Sequence, residues 1–319
     1  MKKADTLDRR FATNREPRPD DGKPHATKCD LFTFERLDWH GILPMDHIHK
    51  LNVQCGRVAK SIMQKRMRIL STVRETAHKA RYVYCPDQQF PNLPGQYIPN
   101  NLHLVYKLDE GAKKALQERY IGYTHGGHYP HQLAQAIVGA EIEIGSYQNR
   151  DYTFIPHHRT TNKPNSYRVP LSDLPKDTTL EPDIHFQIDY VTRKQHFFVE
   201  VDLGTETLTG VYQDQKTIER SLKQYREFIG NRQYHDDLNT TDRAYLLFIF
   251  NDKARMKSAM DILETISEKK GNAYMLFFCD ERFDSKTFPA PMVSDKLWNE
   301  KYERVGRPPV FINVPIEKT

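Results

Sequence analysis

Two short runs decide the fold of this chain: Pro182-Asp183-Ile184-His185-Phe186-Gln187-Ile188 and His196-Phe197-Phe198-Val199-Glu200-Val201-Asp202-Leu203-Gly204-Thr205-Glu206. Each run is bounded by turn-forming residues, and the second is rich in β-branched and aromatic residues, so both predict strands. Because side chains two apart in a strand share a face, Glu200 and Asp202 point the same way. If the strands pair as a hairpin around residues 190–195, Asp183 lies within reach of both acids. The runs therefore predict three carboxylates in one place.

Such a group of carboxylates predicts a cation. Neighbouring carboxylates repel and raise each other's pKa unless a positive charge lies between them. Oxygen ligands suit hard divalent cations, so Mg²⁺ or Mn²⁺ is the expected cofactor. The acids also lie at a strand end beside Gly204, where sites on open sheets tend to form. The alternative interpretation is that Glu200 and Asp202 belong to an ordinary solvated strand face.

The surrounding elements are typical of an α/β domain. A helical pattern covers residues 132–144, and an amphipathic helix is expected over 217–229. The continuous apolar runs 244–250 and 274–279 predict central strands buried on both faces. Strands and helices in this order predict a mixed sheet with both faces covered.

Residues 31–122 predict a winged helix-turn-helix. Three helical patterns, two strand-like runs joined by a Pro- and Gly-rich loop, and a further helix follow in the order of that fold. The third helical pattern is apolar on one side and basic on the other, which is typical of a helix that enters the major groove. Its candidate DNA contacts are Arg57, Lys60, Lys65, Arg66 and Arg68. The alternatives are a helix that is basic only for solubility and a winged helix that binds protein.

Composition excludes several classes of protein. The 319 residues are 38% hydrophobic and 28% charged, which suits two globular domains with polar surfaces. No apolar run reaches the roughly 18 residues of a membrane span, so we expect a cytoplasmic protein with no membrane partner. The four cysteines are widely spaced and are expected to be reduced thiols, with no Cys-x-x-Cys zinc motif. Residues 1–30 are expected to form a flexible basic arm.

Between the two predicted domains, the histidines at 125, 128 and 131 follow a spacing of three. Zinc ligands are one interpretation of this spacing. The intervening Gly126-Gly127 and Pro130 instead favour a polar hinge, because they do not hold three ligands in a rigid arrangement.

Pro182-Asp183 followed by Glu200-Val201-Asp202 resembles the PD-(D/E)XK nuclease superfamily, whose core pairs such an aspartate with a Glu-x-Lys strand. The resemblance implies that Asp183 and Glu200 are metal ligands. It also implies a glutamate ligand from the preceding helix. That ligand is Glu141 if the helix continues there, or Glu143 if a strand has begun, and a plain surface glutamate is the alternative.

Asp202 stands where the superfamily has its lysine, which positions or activates the attacking water. The resemblance implies that a lysine of the following helix, Lys216 or Lys223, replaces it. Asp202 is then expected to be an added ligand or to orient the water.

The whole arrangement resembles the replication-relaxation family of bacterial plasmid and mobile-element proteins, from about Phe34 to Phe278. Its most specific pieces are Val105-Tyr106-Lys107-Leu108-Asp109-Glu110-Gly111 and the two runs quoted first. The expected fold is α/β: a winged helix-turn-helix (31–122), a restriction-endonuclease-like mixed-sheet domain (130–282) and a C-terminal extension (283–319).

Two functions are expected from these features. The first is a Mg²⁺-dependent endonuclease or nickase acting on double-stranded DNA. The second is a non-catalytic DNA-binding regulator of element replication or transfer that keeps the nuclease fold as a platform. An interaction scaffold without DNA contact is a third class, which the basic helix disfavours. The sequence is also compatible with a homodimer.

Overall fold

The computed structural model describes residues 26–56, 59–71, 83–84, 104–121, 128–149, 151–169, 171, 179–210, 216–283 and 290–317. Within these ranges the chain has an N-terminal helical part with a small sheet and a larger part built on a seven-stranded mixed sheet. The α/β fold class expected from the sequence is confirmed. Across the same ranges, no helix is long and apolar enough to cross a membrane.

The N-terminal part consists of four helices and a three-stranded sheet in the residues described. The helices are α1 (Lys28–His40), α2 (Met45–Asn52), α3 (Lys60–Ser71) and α4 (Glu110–Leu116). The strands are β1 (Ile42–Pro44), β2 (Val83–Tyr84) and β3 (Val105–Leu108), and β3 pairs antiparallel with both others. The helix α1 begins inside the predicted arm, because the Thr27 side chain accepts the Asp30 N–H and caps it.

The winged-helix assignment stays a prediction. Gly41 ends α1 with φ +80°, a region that disfavours residues with a Cβ. Helix α2 begins directly after Pro44. The expected loop between the wing strands, 86–101, lies outside the described residues, as do most residues of the predicted basic arm.

The larger part adds six helices within the described ranges. They are α5 (Tyr129–Ser146), α6 (His157–Thr160), α7 (Ile218–Gly230), α8 (Tyr234–Leu238), α9 (Lys253–Ile266) and α10 (Lys296–Asn299). Its strands are β4 (Thr153–Pro156), β5 (Tyr167–Arg168), β6 (Thr179–Leu180), β7 (Ile184–Asp189), β8 (Lys194–Asp202), β9 (Arg243–Phe250), β10 (Met275–Cys279), β11 (Tyr302–Arg304) and β12 (Arg307–Val310).

The seven-stranded sheet has the order β12-β11-β10-β9-β8-β7-β4, while β5 and β6 form a separate pair. The central strand β9 is parallel to both its neighbours, β8 and β10, and the remaining neighbours are antiparallel. Alternate residues of β8 and β9 enter two different apolar layers, one under α5 and one under α7 and α9. The expectation of strands buried on both faces is therefore met at β9 and β10.

The described C-terminal residues, 290–317, contribute strands and buried side chains to the larger part. Strands β11 and β12 extend the same sheet beyond β10. Trp298, Tyr302, Ile312 and Ile316 are buried in the layer under α5. The Pro-rich character of this segment concealed these few inward-facing residues, because they are spread over irregular backbone without a periodic pattern.

Helix α5 belongs to both parts of the molecule. Its Ala136 and Ala140 pack in the N-terminal core, and Ile137 and Val138 pack against the large sheet. Glycine permits the close approach: a Cβ at Gly139 would lie 2.9 Å from His40 Nδ1 of α1. A helix that is apolar nearly all round, as this one is, must be covered on all sides.

Glu143 of α5 is a buried carboxylate that binds helix α1. Arg36 Nε donates to its Oε1 at 2.9 Å, and His40 Nε2 lies 2.7 Å from its Oε2. The Tyr147 hydroxyl also donates to Oε1. Burial alone would raise the pKa of Glu143, but the charge of Arg36 and the hydrogen bond of His40 outweigh it and lower this pKa to about 2.

Three histidines form a hydrogen-bonded chain that links α6 to the β7–β8 hairpin. His157 Nε2 lies 2.8 Å from the Lys163 carbonyl oxygen, which can only accept, so Nε2 donates. The other ring nitrogen of a neutral His157, Nδ1, then accepts from His185 Nδ1 at 2.6 Å. His185 Nε2 then accepts from His196 Nδ1 at 3.1 Å, and the Gln187 amide donates to His196 Nε2. Every donor has an acceptor only if all three rings are neutral. Burial lowers the pKa of all three, which favours that state.

We expect Glu143→Gln to destabilise the fold by about 3–5 kcal/mol, because it removes the buried anion that pairs with Arg36 at 2.9 Å and leaves only the longer contact to Glu35 at 3.4 Å. The folded-state pKa of Glu143 is depressed, so its stabilisation is present above the ordinary value of 4.5 and is lost as the pH falls toward about 2. Urea unfolding between about pH 2 and about pH 7 measures both effects. Glu264→Gln on the exposed face of α9 is the control. Equal losses of unfolding free energy in the two variants would contradict the stabilising role of the buried Glu143.

Candidate active site

The β7–β8 hairpin brings Asp183 to Glu200. Ile184 lies opposite Val199, so Asp183 stands opposite Glu200 just outside the paired strand. The Val201 N–H donates to Asp183 Oδ2 at 2.8 Å, which holds the carboxylate at the end of β8. Burial would raise the pKa of Asp183, but His131, Lys216 and this N–H lower it. The sequence-predicted proximity of these two acids is therefore present in the structure.

Glu200 is buried on the face of the sheet that α7 covers. The Tyr225 hydroxyl of α7 donates to its Oε1 at 2.7 Å, and Lys216 Nζ donates to its Oε2 at 3.1 Å. Burial raises the pKa of Glu200 to about 7, and nearby Asp183 adds to the shift against the attraction of Lys216. The carboxyl group of Glu200 therefore lies between its charged and neutral forms near neutral pH.

Lys216 supplies the positive charge of this site. Its Nζ lies 3.1 Å from Glu200 Oε2 and 3.4 Å from Glu206 Oε1. The pKa of Lys216 is raised, first by the charge of Glu200 and also by Asp183 and Glu206, so it carries its proton. The other lysine that the sequence offered, Lys223, pairs instead with Glu219 along the surface of α7.

Asp202 shares the strand face of Glu200, but its carboxylate is bound differently. Arg255 of α9 donates from Nε to Oδ2 and from a terminal nitrogen to Oδ1 at 3.2 Å. The Gly204 N–H also donates to Oδ1, at 3.0 Å. Both oxygens of Asp202 are thus used in a buried ion pair and a turn.

The structure does not bring Glu141 to this group. Helix α5 does continue through it, but its carboxylate accepts two bonds from Arg282, at 2.9 and 2.8 Å, and one from the Ser294 N–H at 2.8 Å. His47 Nε2 of α2 lies 3.3 Å from the same carboxylate. Although burial would raise the pKa of Glu141, His47 and Arg282 lower it. Its contacts make it a buried junction between α2, α5 and the C-terminal segment.

The expected polar hinge contributes one residue to the site. His131, in the first turn of α5, lies 2.8 Å from the Val201 carbonyl and 3.4 Å from Asp183 Oδ2 through Nε2. Nε2 therefore donates, and Nδ1 is left to accept from the Gln135 amide at 3.2 Å. The residues at 125–127 lie outside the described ranges. His131 contacts the aspartate of the site directly, which the histidine spacing did not indicate.

The five predicted DNA contacts separate into different environments. Arg66 donates to the buried Asp30 carboxylate at 2.6 Å, and Lys60 forms an ion pair with Asp46. Lys65 and Arg68 are exposed on α3. Arg57 lies outside the described residues. The number of basic residues along α3 does not distinguish Arg66, which pairs with Asp30 of α1, from Lys65 and Arg68, which face solvent.

Three further residues of the site were missed by the sequence analysis as functional groups. Glu206 ends the second quoted run, Tyr225 lies within the predicted helix 217–229, and Arg255 lies outside the predicted elements. The turn signal at Gly204 is the one feature that could have indicated Glu206 as a site residue, because a chain that reverses there returns toward the end of the strand. Tyr225 and Arg255 are identified only by the packing of α7 and α9 on the sheet.

The donor atoms suit a hard cation, but the ammonium of Lys216 lies among them. The carboxylates of Asp183, Glu200 and Glu206 offer oxygen, the ligand type of Mg²⁺ and Mn²⁺. Across the described ranges, no three His, Cys, Asp or Glu side chains stand as a formed metal site. The Lys216 ammonium therefore supplies the positive charge beside these carboxylates in the structure.

Comparison with known proteins identifies a family. The sequence model of the family described as "Replication-relaxation" matches residues 35–243, which run from within α1 through α8 and include β7 and β8. No curated protein and no solved structure matches the chain.

The titration of Glu200 gives a stability prediction. The pKa of Glu200 is raised in the folded state. Its contribution to the stability of the fold is therefore present below pH 4.5, its ordinary pKa, and is lost as the pH rises to about 7. We expect the free energy of unfolding of metal-free protein to fall over that window by roughly 3 kcal/mol at most, and Glu200→Gln to remove the fall. Urea unfolding in EDTA at several pH values measures this change in the free energy of unfolding. The same dependence of stability on pH in wild type and Glu200→Gln would contradict the assignment of the change to Glu200.

Proposed function

This chain belongs to the replication-relaxation family, and from that premise we propose that it is a DNA-binding protein whose α/β part hydrolyses phosphodiester bonds. The family connects the chain with replication or relaxation of plasmid or mobile-element DNA, and so with DNA as its partner. The proposed activity is that of an endonuclease or nickase that uses Mg²⁺ or Mn²⁺ on double-stranded DNA.

The observation that carries the proposal is the grouping of Asp183, Glu200 and Lys216. An aspartate before one strand and a glutamate in the next come together, and a lysine from the start of α7 reaches the glutamate at 3.1 Å. The proposal assigns to Lys216 the part that a lysine at position 202 would have. Two acids and a lysine at a strand end are the groups that such hydrolysis requires.

Each of these residues has a distinct part in the reaction. A divalent cation held by Asp183 and Glu200 would polarise the scissile phosphate and lower the pKa of a bound water. Tyr225 fixes one oxygen of Glu200, and the Val201 N–H fixes one oxygen of Asp183, so both carboxylates keep their orientation. Lys216 Nζ, displaced from Glu200, would donate a hydrogen bond to the attacking water or to the phosphate oxygen.

The N-terminal part would bring the DNA to this site. Lys65 and Arg68 are exposed on the same helix, where they can neutralise phosphates. Helix α5 joins the two parts rigidly through Glu143 and Glu141, which bond to α1 and lie against α2. The distance between the recognised DNA and the cleaved bond would therefore be set by this helix.

A second function is favoured by the ammonium in the site. Lys216 already neutralises Glu200 and Glu206, so the group needs no metal to be stable. This supports a non-catalytic DNA-binding regulator of replication or transfer with the same fold. Cleavage assays distinguish the two functions.

We expect supercoiled plasmid from the source of this protein to be nicked or linearised with Mg²⁺ or Mn²⁺ and to stay intact with EDTA. Asp183→Asn, Glu200→Gln and Lys216→Met should each lower the rate by at least about 100-fold, because each removes a group that acts on the phosphate or the water. Gel electrophoresis of plasmid forms measures the rate.

Lys223→Met is the matched control, since it removes a lysine of α7 that pairs with Glu219 away from the site. Its rate should equal that of wild type. Retained DNA binding with no cleavage under any metal would reject the nuclease and support the regulator. Equal losses in Lys216→Met and Lys223→Met would reject the role of Lys216.

We expect Lys65→Ala and Arg68→Ala to weaken DNA binding and to reduce its salt dependence by about one counterion each, because each side chain contacts a phosphate. Arg66→Ala should instead lower the melting temperature, because it removes the guanidinium that forms an ion pair with the buried Asp30. Fluorescence anisotropy at several salt concentrations and thermal unfolding separate the effects. Unchanged anisotropy in Lys65→Ala and Arg68→Ala would place the DNA on another surface.

A further inference from the structure

Two cysteines of the N-terminal part approach each other although they are far apart in the sequence. Cys29 is in the first turn of α1, and Cys55 is in the 3₁₀ turn Val53–Cys55 that follows α2. The Cys29 Sγ donates to the Cys55 carbonyl oxygen at 3.3 Å. Both side chains are half-buried, so small molecules in solution can reach them. The contact therefore brings the Cys29 thiol to the backbone that carries the Cys55 thiol.

Other bonds hold the backbone on both sides of this contact. The Thr33 hydroxyl of α1 lies 2.9 Å from the Cys29 carbonyl oxygen and 2.8 Å from Asn52 Oδ1, at the end of α2. Asn52 in turn donates to the Ile48 carbonyl at 2.8 Å. These bonds fix the start of α1 to the residues just before the turn of Cys55. The fold thus keeps the two thiols near each other before any covalent bond joins them.

The turn that carries Cys55 has room to adjust. Gly56, which follows it directly, has φ +79°, and a Cβ built at that position would lie in open space. A disulfide requires Cα atoms about 4.4–6.8 Å apart. Because the Cys29 sulfur already contacts the Cys55 backbone, rotation of the side chains and a small shift of this open turn bring the two sulfurs together.

Cys279 has different surroundings and is the matched control for this pair. It is the last residue of β10, and burial raises the pKa of its thiol to about 11. A thiol that keeps its proton near neutral pH is a poor nucleophile, so Cys279 is expected to react slowly. The fourth cysteine, Cys85, lies outside the described residues.

We propose that Cys29 and Cys55 form a reversible disulfide when the chain meets a low-molecular-weight disulfide such as oxidised glutathione. The thiolate of one cysteine attacks a sulfur of that molecule, so a mixed disulfide forms and one small thiolate leaves. The thiolate of the other cysteine attacks the protein sulfur of the mixed disulfide, which forms the Cys29–Cys55 bond and releases the second small thiolate. The two thiol protons pass to the released thiolates. The protein loses two electrons, and the small disulfide gains them.

The bond would clamp the start of α1 to the turn ahead of α3. Arg66 of α3 already binds Asp30, the residue after Cys29, at 2.6 Å. A covalent link between α1 and the turn restricts the unfolded chain, so it stabilises the N-terminal part against unfolding. The helix that carries the exposed Lys65 and Arg68 would thereby keep its place under oxidising conditions.

Oxidation of the full chain with glutathione disulfide tests this inference. We expect mass spectrometry to show the loss of two hydrogen atoms per chain. Trypsin should release peptides 29–36 and 51–57 joined by a bond that dithiothreitol breaks. Thermal unfolding should occur about 5 °C higher in the oxidised protein than in the reduced protein. Cys29→Ser and Cys55→Ser should each abolish the joined peptides and this shift.

Cys279→Ser and Cys85→Ser should each retain the joined peptides and the higher melting temperature. A glutathione adduct that persists on Cys29 or Cys55 without joined peptides would overturn the proposal, and so would a disulfide between two chains on a non-reducing gel. Joined peptides with an unchanged melting temperature would overturn the clamping of α1. None of these measurements uses DNA or a metal, so their outcome is independent of the proposed function.

Discussion

The antiparallel pairing of β7 with β8 sets the position of Asp183 relative to Glu200, on which the candidate site depends. With Ile184 opposite Val199, Asp183 falls beside Glu200 and accepts the Val201 N–H. A shift of one residue in this register would turn Glu200 into the apolar layer under α5. The register is secured by burial on both faces, because alternate residues of β8 belong to two different apolar layers. Packing energy spread over the whole sheet thus fixes the geometry of a few carboxylates.

Helix α5 turns that sheet and the N-terminal helices into one unit. It has little polar surface, and its buried acids, Glu141 and Glu143, lie on different sides because they are two residues apart on a helix. Each carboxylate is compensated by an arginine, Arg282 or Arg36, which keeps both charged in the interior. At its first turn the same helix places His131 against Asp183. One element therefore contacts the N-terminal part, the C-terminal segment and the site.

The site itself is a balance of charge at a strand end. Burial makes ionisation of Glu200 costly, Tyr225 and Lys216 reduce that cost, and the balance raises the pKa of Glu200 to about 7. Lys216 keeps its proton because acids surround it. The protonation state of each group in the site therefore depends on the charges beside it. Asp202 is outside this balance because Arg255 already neutralises it.

Hydrophobic periodicity and turn residues are local signals, and from them we predicted the α/β class, the order of strands and helices from β7 to β10 and the face of β8 on which Glu200 lies. The meeting of Asp183 with Glu200 could also be predicted, since a hairpin is a short-range pairing. The local patterns did not show that Lys216 rather than Lys223 reaches Glu200, or that Arg282 holds Glu141 away from the site. These contacts depend on how the helices and the C-terminal segment pack on the sheet. Contacts between residues far apart in the sequence do not produce a periodic pattern of residues.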